Sequence, residues 1–434
     1  MRVELNLMPY QKKLLNSTSP FVFALMGRGS GKSYTLSIIA LLALLQGKNA
    51  ILCAQRYDSL KDVLFREIKL RVVEWGLADV IQFKENPVRA SYNNHTLYGG
   101  SYEGIPALRG LTEISLIILD EVATAPIDVL DVLAPCLRGP GVVNPRIIGA
   151  TTPNAQSLWN FKFAEAYKYG WEIITATTYD NKFLTAEQIR IIEQAIPSDT
   201  MRAQELRAEV ITSAKSAAII TLDKFPRISG LTTDNRIICG LDTAQGIDRD
   251  ATAFVARQGN KLLEVVKWYD KSHEEVVHFI REFHKKHKIS QLLIDNAFSD
   301  YEFNVLKYEM PCQQIQFGSA PSEDNREKFA NRRAEMYANT VWYIEHGLCV
   351  EGFDLTPELK RQLCFTTWER TPQGRLIITK KEKLREVLGM SPDVADALAL
   401  TCLNKYTLDD PVMTQDRVVS GVTKEEEMAM MSED

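Results

Sequence analysis

The first half of the chain alternates short apolar runs with stretches of helical periodicity. Apolar runs at 21–25, 50–54, 116–119 and 146–150 predict buried strands, and the stretch at about 33–46 predicts a helix between the first two. Strands that alternate with helices form parallel sheets. This half therefore predicts an α/β fold with a parallel-core sheet.

The second half has a different pattern of apolar and polar positions. It predicts strands at 236–241, 251–257 and 261–268, a helix at about 272–286, a strand at 291–294 and a late helix that begins at Ser391 and Pro392. Three strands in a meander, then a helix, a strand and a final helix, are the order of a ribonuclease H-like domain. Residues 185–217 between the halves are helical in pattern and mixed in charge.

The composition narrows the class of protein. A chain of 434 residues, 45% hydrophobic and 25% charged, is typical of a globular protein with two domains. The net charge of −5 argues against a generic basic protein that coats DNA, but it allows a local basic channel. Seven scattered cysteines lack the spacing of a zinc site and suit a reducing cytoplasm. The apolar run at 36–45 is far shorter than the roughly 20 residues that span a bilayer.

A glycine-rich segment joins the first strand to the first long helix. Such a loop cradles phosphates with backbone N–H groups, while a lysine reaches the β- and γ-phosphates and a hydroxyl binds Mg²⁺. Met26 stands where the usual pattern has its first glycine. The residues predicted to bind ATP here are Gly27, Arg28, Gly29, Ser30, Gly31, Lys32 and Ser33.

Two further segments complete a predicted ATPase site. Asp120 and Glu121 follow an apolar strand, where the first would hold Mg²⁺ and the second would polarise the attacking water. Thr151 and Thr152 follow the next strand and are predicted to sense the γ-phosphate and couple hydrolysis to movement.

Three other residues are candidates for contacts with the nucleotide. Arg28 lies within the loop, where its guanidinium could reach the γ-phosphate in cis; Arg109 could reach the site of a neighbouring subunit. A solvated surface position is the alternative for both. Gln11 is a candidate for reading adenine, and a plain helix start is its alternative.

Acidic residues in the second half predict a nuclease centre. Asp242 and Asp295 each end a predicted strand, and Asp393 and Asp396 lie three residues apart on one face of the late helix. Hydrolysis of a phosphodiester by two metal ions needs carboxylates that converge from separate elements. The spacing leaves open whether Asp393, Asp396 or both bind metal. Asp248 and Asp250 are possible auxiliary ligands, with solvation in a loop as the alternative.

Together these motifs resemble the large subunit of a tailed-bacteriophage terminase, over about residues 5–405. The segments Leu119-Asp120-Glu121, Gly240-Leu241-Asp242, Asn331-Arg332-Arg333-Ala334-Glu335 and the stretch 391–398 carry much of the likeness. The resemblance implies an ASCE-type P-loop ATPase domain followed by the nuclease. It also implies a cis role for Arg28 and a trans role for Arg109.

The same resemblance implies ligands and partners. These are ATP with Mg²⁺ in the ATPase, two Mg²⁺ or Mn²⁺ ions in the nuclease, double-stranded DNA, the portal protein of a procapsid and a small terminase subunit. It further implies a homo-oligomeric ring, usually of five subunits. We expect the host cell cytoplasm as the location, with no membrane partner and no place in the mature virion.

The predicted organisation follows from these assignments. We expect an ATPase domain at 1–184, a helical connector at 185–230, a nuclease domain at 231–408 and an acidic, disordered tail at 409–434. The function predicted is a DNA-packaging motor that translocates DNA and cuts concatemers. The alternatives are an ATP-driven translocase or helicase without nuclease activity, a transposase-like nuclease with a regulatory ATPase region, and a structural protein with decayed sites.

Overall fold

The computed structural model describes residues 4–196, 198–214, 217–225, 235–243, 251–297, 299–350 and 355–404. The chain divides into two compact units, Met1–Thr212 and Ser213–Asp434. The division falls inside the predicted connector at 185–230, and the predicted tail at 409–434 lies outside the described residues. Within the described parts of the chain, no helix has the length and apolar character that crossing a bilayer requires.

The first unit is built on an eight-stranded sheet with the order β3-β4-β5-β2-β6-β7-β1-β8. The six strands from β5 to β8 in this order are parallel, and β3 and β4 add an antiparallel edge. This arrangement confirms the predicted parallel core. The strands are β1 (Phe21–Met26), β2 (Asn49–Ala54), β3 (Gln82–Glu85), β4 (Val88–Tyr92), β5 (His95–Ser101), β6 (Ile114–Asp120), β7 (Arg146–Thr151) and β8 (Glu172–Ala176).

Apolar side chains cover both faces of this sheet. Alternate residues of β1 point to opposite sides, so that Val22 packs in one apolar cluster and Phe23 in the other. A strand buried on both faces reads as a continuous apolar run, which is why the sequence predicted it. The helices are α1 (Pro9–Asn16), α2 (Lys32–Leu45), α3 (Tyr57–Ser59), α4 (Arg66–Glu74), α5 (Val129–Leu133), α6 (Trp159–Ala164), α7 (Ala186–Ala195) and α8 (Asp199–Glu205).

The second unit contains a six-stranded mixed sheet with the order β13-β12-β9-β10-β11-β14. The antiparallel meander of β9, β10 and β11 continues into β12 and β13, which run parallel to β9. This order confirms the predicted ribonuclease H-like fold. The strands are β9 (Ile237–Asp242), β10 (Thr252–Gln258), β11 (Lys261–Trp268), β12 (Gln291–Asp295), β13 (Cys312–Ile315) and β14 (Cys349–Val350), with a separate pair β15 (Trp368–Arg370) and β16 (Leu376–Ile378).

The last helix of this unit lies directly on the central strand. A Cβ atom at Gly240 in β9 would overlap the carbonyl oxygen of Ala397 and crowd Leu400, so only glycine permits this approach. The close contact brings the start of α14 to the end of β9. The helices are α9 (His273–His287), α10 (Asp300–Leu306), α11 (Arg332–Glu345), α12 (Pro357–Phe365), α13 (Lys381–Leu388) and α14 (Asp393–Thr401).

The start of α14 differs from the prediction in its capping. The sequence predicted Ser391 as the N-cap and Pro392 as the first helical residue, but the helix begins at Asp393 with Pro392 as its cap. The hydroxyl of Ser391 has no hydrogen-bond partner among the described residues. The N–H group of Ala395 instead donates to the side chain of Gln362 at 2.8 Å. A tertiary contact from α12 therefore does the work of the predicted serine cap.

Candidate nucleotide site and acidic centre

The glycine-rich loop lies between β1 and α2, as the sequence predicted. Gly27 is confined because a Cβ atom there would overlap the carbonyl oxygen of Leu206. Gly31 adopts a left-handed conformation with φ 79° and caps α2, which begins at Lys32. The loop thus ends at a helix N-terminus, which is a favourable environment for phosphate oxygens.

Lys32 and Ser33 contact residues at the ends of strands β6 and β7. The Nζ atom of Lys32 donates to Thr152 Oγ1 at 2.8 Å and lies 3.7 Å from Glu121 Oε1. The hydroxyl of Ser33 donates to Asp120 Oδ2 at 3.3 Å. Strand β7, which ends at Thr151, lies between β1 and β6, so the three strand ends deliver these side chains to one place.

Glu121 contacts the segment predicted to couple hydrolysis to movement. Its Oε2 atom accepts hydrogen bonds from Thr151 Oγ1 at 3.2 Å and from the N–H of Thr152 at 3.3 Å. The backbone of Glu121 is left-handed, with φ 50°. This uncommon conformation for a residue with a Cβ turns the chain sharply at the end of β6. A movement of Glu121 would therefore change its hydrogen bonds with Thr151 and Thr152.

Asp120 is buried beside this network. Burial, and next the neighbouring Glu121, raises the pKa of Asp120 to about 6, although Lys32 and Ser33 oppose the shift. A nearby cation would stabilise the charged form of this carboxylate. The oxygen atoms of Asp120 and Ser33 are thus suited to hold a divalent cation together.

Arg28 is held by a residue that the sequence analysis did not single out. Its Nε atom lies 2.5 Å from Glu205 Oε2, at the end of α8, while the arginine side chain is 65% exposed. A cavity of about 420 Å³ has Arg28, Lys32, Glu121 and Glu205 in its wall. Gln55 lines the same cavity and was also missed, whereas Asn154, which lines it too, follows directly on the predicted coupling segment. Glu205 lay in the predicted connector, so nothing in the sequence linked it to the loop.

The two remaining candidates lie differently with respect to the loop. Gln11 is buried beneath it: its Nε2 atom donates to Ser30 O at 3.4 Å, and its Oε1 atom accepts from the N–H of Met8. The amide of Gln11 thus supports the loop. Arg109 is exposed and is not among the residues that line the cavity. Its predicted trans role stays a prediction.

The second unit brings four predicted carboxylates together. Strands β9 and β12 are parallel neighbours with Leu241 opposite Ile294, so Asp242 and Asp295 end side by side. Asp393 and Asp396 project from the first turn of α14. All four are buried, and Asp396 is completely inaccessible. Asp248 and Asp250, the possible auxiliary ligands, lie outside the described residues.

A lysine that the sequence analysis missed lies at the centre of these carboxylates. The Nζ atom of Lys381, the first residue of α13, lies 3.2 Å from Asp242 Oδ2, 3.4 Å from Asp393 Oδ1 and 3.4 Å from Asp396 Oδ2. Burial alone would lower the pKa of Lys381, but the three carboxylates raise it above its ordinary value. Each of these aspartates therefore points one oxygen atom at the same position.

Three of these carboxylates have shifted pKa values, and the shifts differ in direction. Burial raises the pKa of Asp242 well above its ordinary value, although Lys381 opposes this shift. Burial, and next Asp396, raises the pKa of Asp295 to about 6. Burial acts in the same direction on Asp396, but Arg333 and Lys381 outweigh it and lower the pKa of that carboxyl. Crowded carboxylates of this kind have a strong affinity for cations.

The donor atoms of this centre suit a hard divalent cation. Mg²⁺ and Mn²⁺ prefer oxygen ligands, and carboxylates converge here on one point. A second cavity is lined by Asp242, Asp295 and Asp393, and Thr243, next to Asp242, lines it too, with a buried hydroxyl that has no hydrogen-bond partner among the described residues. Yet no group of three His, Cys, Asp or Glu side chains in the described chain is arranged to hold a metal ion as it stands. The chemistry of the site fits a metal, whereas its present arrangement is closed by the ammonium of Lys381.

Comparison with known protein families finds a match within the first unit. Residues 19–207 match the family model described as phage terminase large subunit. The match confirms, for these residues, the resemblance predicted from the motifs. A search of curated proteins found no relative of the chain.

Similar solved structures include two of the large terminase from a thermophilic bacteriophage. One has a TM-score of 0.40 at 12% identity and covers 92% of this chain and 98% of that chain. The other, in complex with ADP, has a TM-score of 0.41 at 12% identity and covers 91% and 98%. A mutant nuclease domain of the large terminase subunit gp2 of bacterial virus Sf6, with manganese and beta-thujaplicinol, has a TM-score of 0.37 at 16% identity and covers 44% and 100%.

Proposed function

We propose that this protein is the motor and nuclease of a viral DNA-packaging machine. ATP hydrolysis in the first unit would drive double-stranded DNA into a procapsid, and the acidic centre of the second unit would cut concatemeric DNA. The observation that carries the proposal is that one chain contains two separate groups of residues suited to hydrolysis. One is the loop with Lys32 facing Glu121, and the other is the set of carboxylates around Lys381.

In the proposed ATPase, each residue acts on a different part of the nucleotide. The backbone N–H groups of the loop and the ammonium of Lys32 bind the β- and γ-phosphates, while Ser33 and Asp120 would hold Mg²⁺. Glu121 orients and polarises the attacking water. Lys32 now donates to Thr152, so a γ-phosphate that draws Lys32 away would break that contact. Binding of ATP would thereby reach the segment at 151–152, which supports its coupling role.

Arg28 has a distinct role in the proposed cycle. Its guanidinium is paired with Glu205, but the side chain of Arg28 is exposed, so it can turn towards phosphates that would occupy the cavity. There it would stabilise the charge that develops during hydrolysis, as an arginine finger does. Arg109, exposed on its own subunit, would act on the nucleotide of a neighbour.

In the proposed nuclease, Asp242, Asp295, Asp393 and Asp396 would hold the ions. Two such ions, when bound, stabilise the attacking and leaving oxygen atoms of the phosphodiester. The oxygen atoms of Asp242, Asp393 and Asp396 that face Lys381 are suited to this role, because they already surround a cation. Lys381 would move away to admit the ions.

Partners and location follow from the proposed role. We propose that the motor grips any DNA sequence through phosphate contacts, so that its binding weakens steeply with salt. The portal protein, a small terminase subunit and a ring of about five copies complete the proposal. The host cell cytoplasm is its proposed location, outside the mature virion.

One experiment separates the proposal from its main alternative. ATP hydrolysis and Mn²⁺-dependent cutting of a plasmid are measured on the same purified full chain, with and without DNA and procapsids. We expect DNA-stimulated hydrolysis and metal-dependent cutting. Hydrolysis without cutting under any divalent ion would favour an ATP-driven translocase or helicase without nuclease activity. The ammonium at the centre of the carboxylates is the observation that favours this alternative.

A further inference from the structure

Asp396, one carboxylate of the acidic centre, accepts hydrogen bonds from two residues of helix α11. Arg333, in the first turn of α11, donates from Nε at 3.0 Å and from Nη2 at 2.8 Å to Asp396 Oδ1. Its Nη2 atom also lies 3.1 Å from Asp396 Oδ2. One turn later, the hydroxyl of Tyr337 donates to the same Oδ1 atom at 2.7 Å. Oδ1 of Asp396 therefore accepts three hydrogen bonds.

The arginine has little freedom to leave this carboxylate. Its guanidinium carbon lies 5.7 Å from the centre of the Phe317 ring and 5.4 Å from the centre of the Tyr337 ring. The backbone N–H group of Arg333 donates to the carbonyl oxygen of Phe317 at 3.0 Å. Contacts with aromatic faces and a charge-assisted fork both favour a single geometry. Arg333 is thus a fixed part of the centre.

The two oxygen atoms of Asp396 consequently have different environments. Oδ1 accepts three hydrogen bonds from Arg333 and Tyr337, whereas Oδ2 accepts one from Arg333, at 3.1 Å, and faces the ammonium of Lys381 at 3.4 Å. Asp393 has the same division: its Oδ2 atom accepts from the N–H of Ala251 at 3.1 Å, and its Oδ1 atom faces Lys381. Both residues of α14 thus present one oxygen atom to the common point.

We propose that Arg333 and Tyr337 are positioning residues of the nuclease centre, which fix Asp396 so that Oδ2 alone is offered to a divalent cation. The inference rests on the proposed nuclease function. Partners that orient a metal ligand commonly change metal affinity by about 10–100-fold when they are removed. Arg333 and Tyr337 would therefore set the affinity of the centre for its ions through Asp396, without themselves binding the metal.

The test compares Tyr337→Phe with a control on the same helix. Tyr337→Phe removes only the hydroxyl that binds Asp396. Tyr343→Phe removes a hydroxyl that donates to Asn404 O at 3.2 Å, away from the carboxylates. The thermal melting of each full-length variant is followed as Mn²⁺ is added, and plasmid cutting is measured over the same concentrations. Arg333→Lys, which keeps the charge but loses the fork, is the second variant.

We expect Tyr337→Phe and Arg333→Lys to raise the half-saturating Mn²⁺ concentration by about 10-fold in both assays, with Tyr343→Phe unchanged. A merely structural role would lower the melting temperature equally at every Mn²⁺ concentration and leave the midpoint where it was. That result in Tyr337→Phe would overturn the inference, even if Arg333→Lys failed to fold. A wild-type protein that shows neither a melting shift nor cutting with Mn²⁺ would instead overturn the nuclease proposal beneath it.

Discussion

Replacing Lys381 tests the electrostatics of the acidic centre directly. Its ammonium lies within 3.4 Å of Asp242, Asp393 and Asp396, all of them buried, while the lysine side chain itself is 30% exposed. Lys381→Met keeps most of the aliphatic stem and removes the charge. The three carboxylates would then face one another without their central cation.

The expected loss of stability follows from the burial of these groups. Removing one partner of a buried ion pair typically costs about 3–5 kcal/mol, because the other charge stays buried without compensation. Partial exposure of Lys381, and proton uptake by the crowded carboxylates, favour the lower end, about 3 kcal/mol. For a unit of this size, 1 kcal/mol shifts the melting temperature by about 2–4 °C. The transition of the second unit should therefore fall by about 10 °C at pH 7.

Differential scanning calorimetry of the full chain measures this change without metal and then with Mn²⁺. Lys383→Met is the matched control, because Lys383 lies two residues along the same helix and pairs with Glu369 on the surface at 3.3 Å. An exposed pair of this kind contributes little, so the control should melt with the wild type. Added Mn²⁺ should raise the melting temperature of Lys381→Met more than that of the wild type, since the ion replaces the missing charge. Equal melting of Lys381→Met and wild type, or no larger response to Mn²⁺, would show that Lys381 does not neutralise these carboxylates in the folded protein.

Three further predictions concern single residues. Glu121→Ala should bind ATP but hydrolyse it at least about 100-fold more slowly, since the water loses its base; nucleotide binding and phosphate release assays check this. Arg28→Ala should slow hydrolysis by orders of magnitude with little loss of ATP affinity, and a loss of affinity alone would make Arg28 a ground-state contact. Burial and Asp396 raise the pKa of Asp295 to about 6, so its ionisation costs the folded state increasingly as pH rises from about 4 through 6. Asp295→Asn should thus stabilise the metal-free protein by about 2–3 kcal/mol at pH 7 and hardly at pH 4, as denaturant unfolding at the two pH values would reveal.

The parts of the sites that the sequence predicted are those fixed by neighbours along the chain. The loop before Lys32 and the acids that end β6, β9 and β12 each follow an apolar strand, so their position could be inferred from local pattern. The ends of parallel strands meet at one edge of a sheet, so the sequence predicted that Asp242 and Asp295 lie close together, as they do in the structure.

The residues that the sequence did not predict reach the sites through tertiary contacts. Lys381 belongs to a short helix rich in lysine and glutamate, a pattern typical of a solvated surface. Glu205 lies 177 residues from its partner Arg28, and no local signal links the two. The cap of α14 came from Gln362, on another helix, instead of the adjacent Ser391. Burial partners of this kind depend on packing, which residue spacing alone does not specify.

If the chain carries two separate hydrolytic sites, a variant of one site should leave the activity of the other site intact. ATP hydrolysis and Mn²⁺-dependent plasmid cutting are measured side by side on the full-length wild type, on Lys32→Ala and on Asp242→Asn. We expect Lys32→Ala to lose ATP hydrolysis and keep plasmid cutting, and Asp242→Asn to lose plasmid cutting and keep ATP hydrolysis. A wild type without either activity, or a folded variant that keeps the activity assigned to its altered residue, would rule out two separate hydrolytic sites.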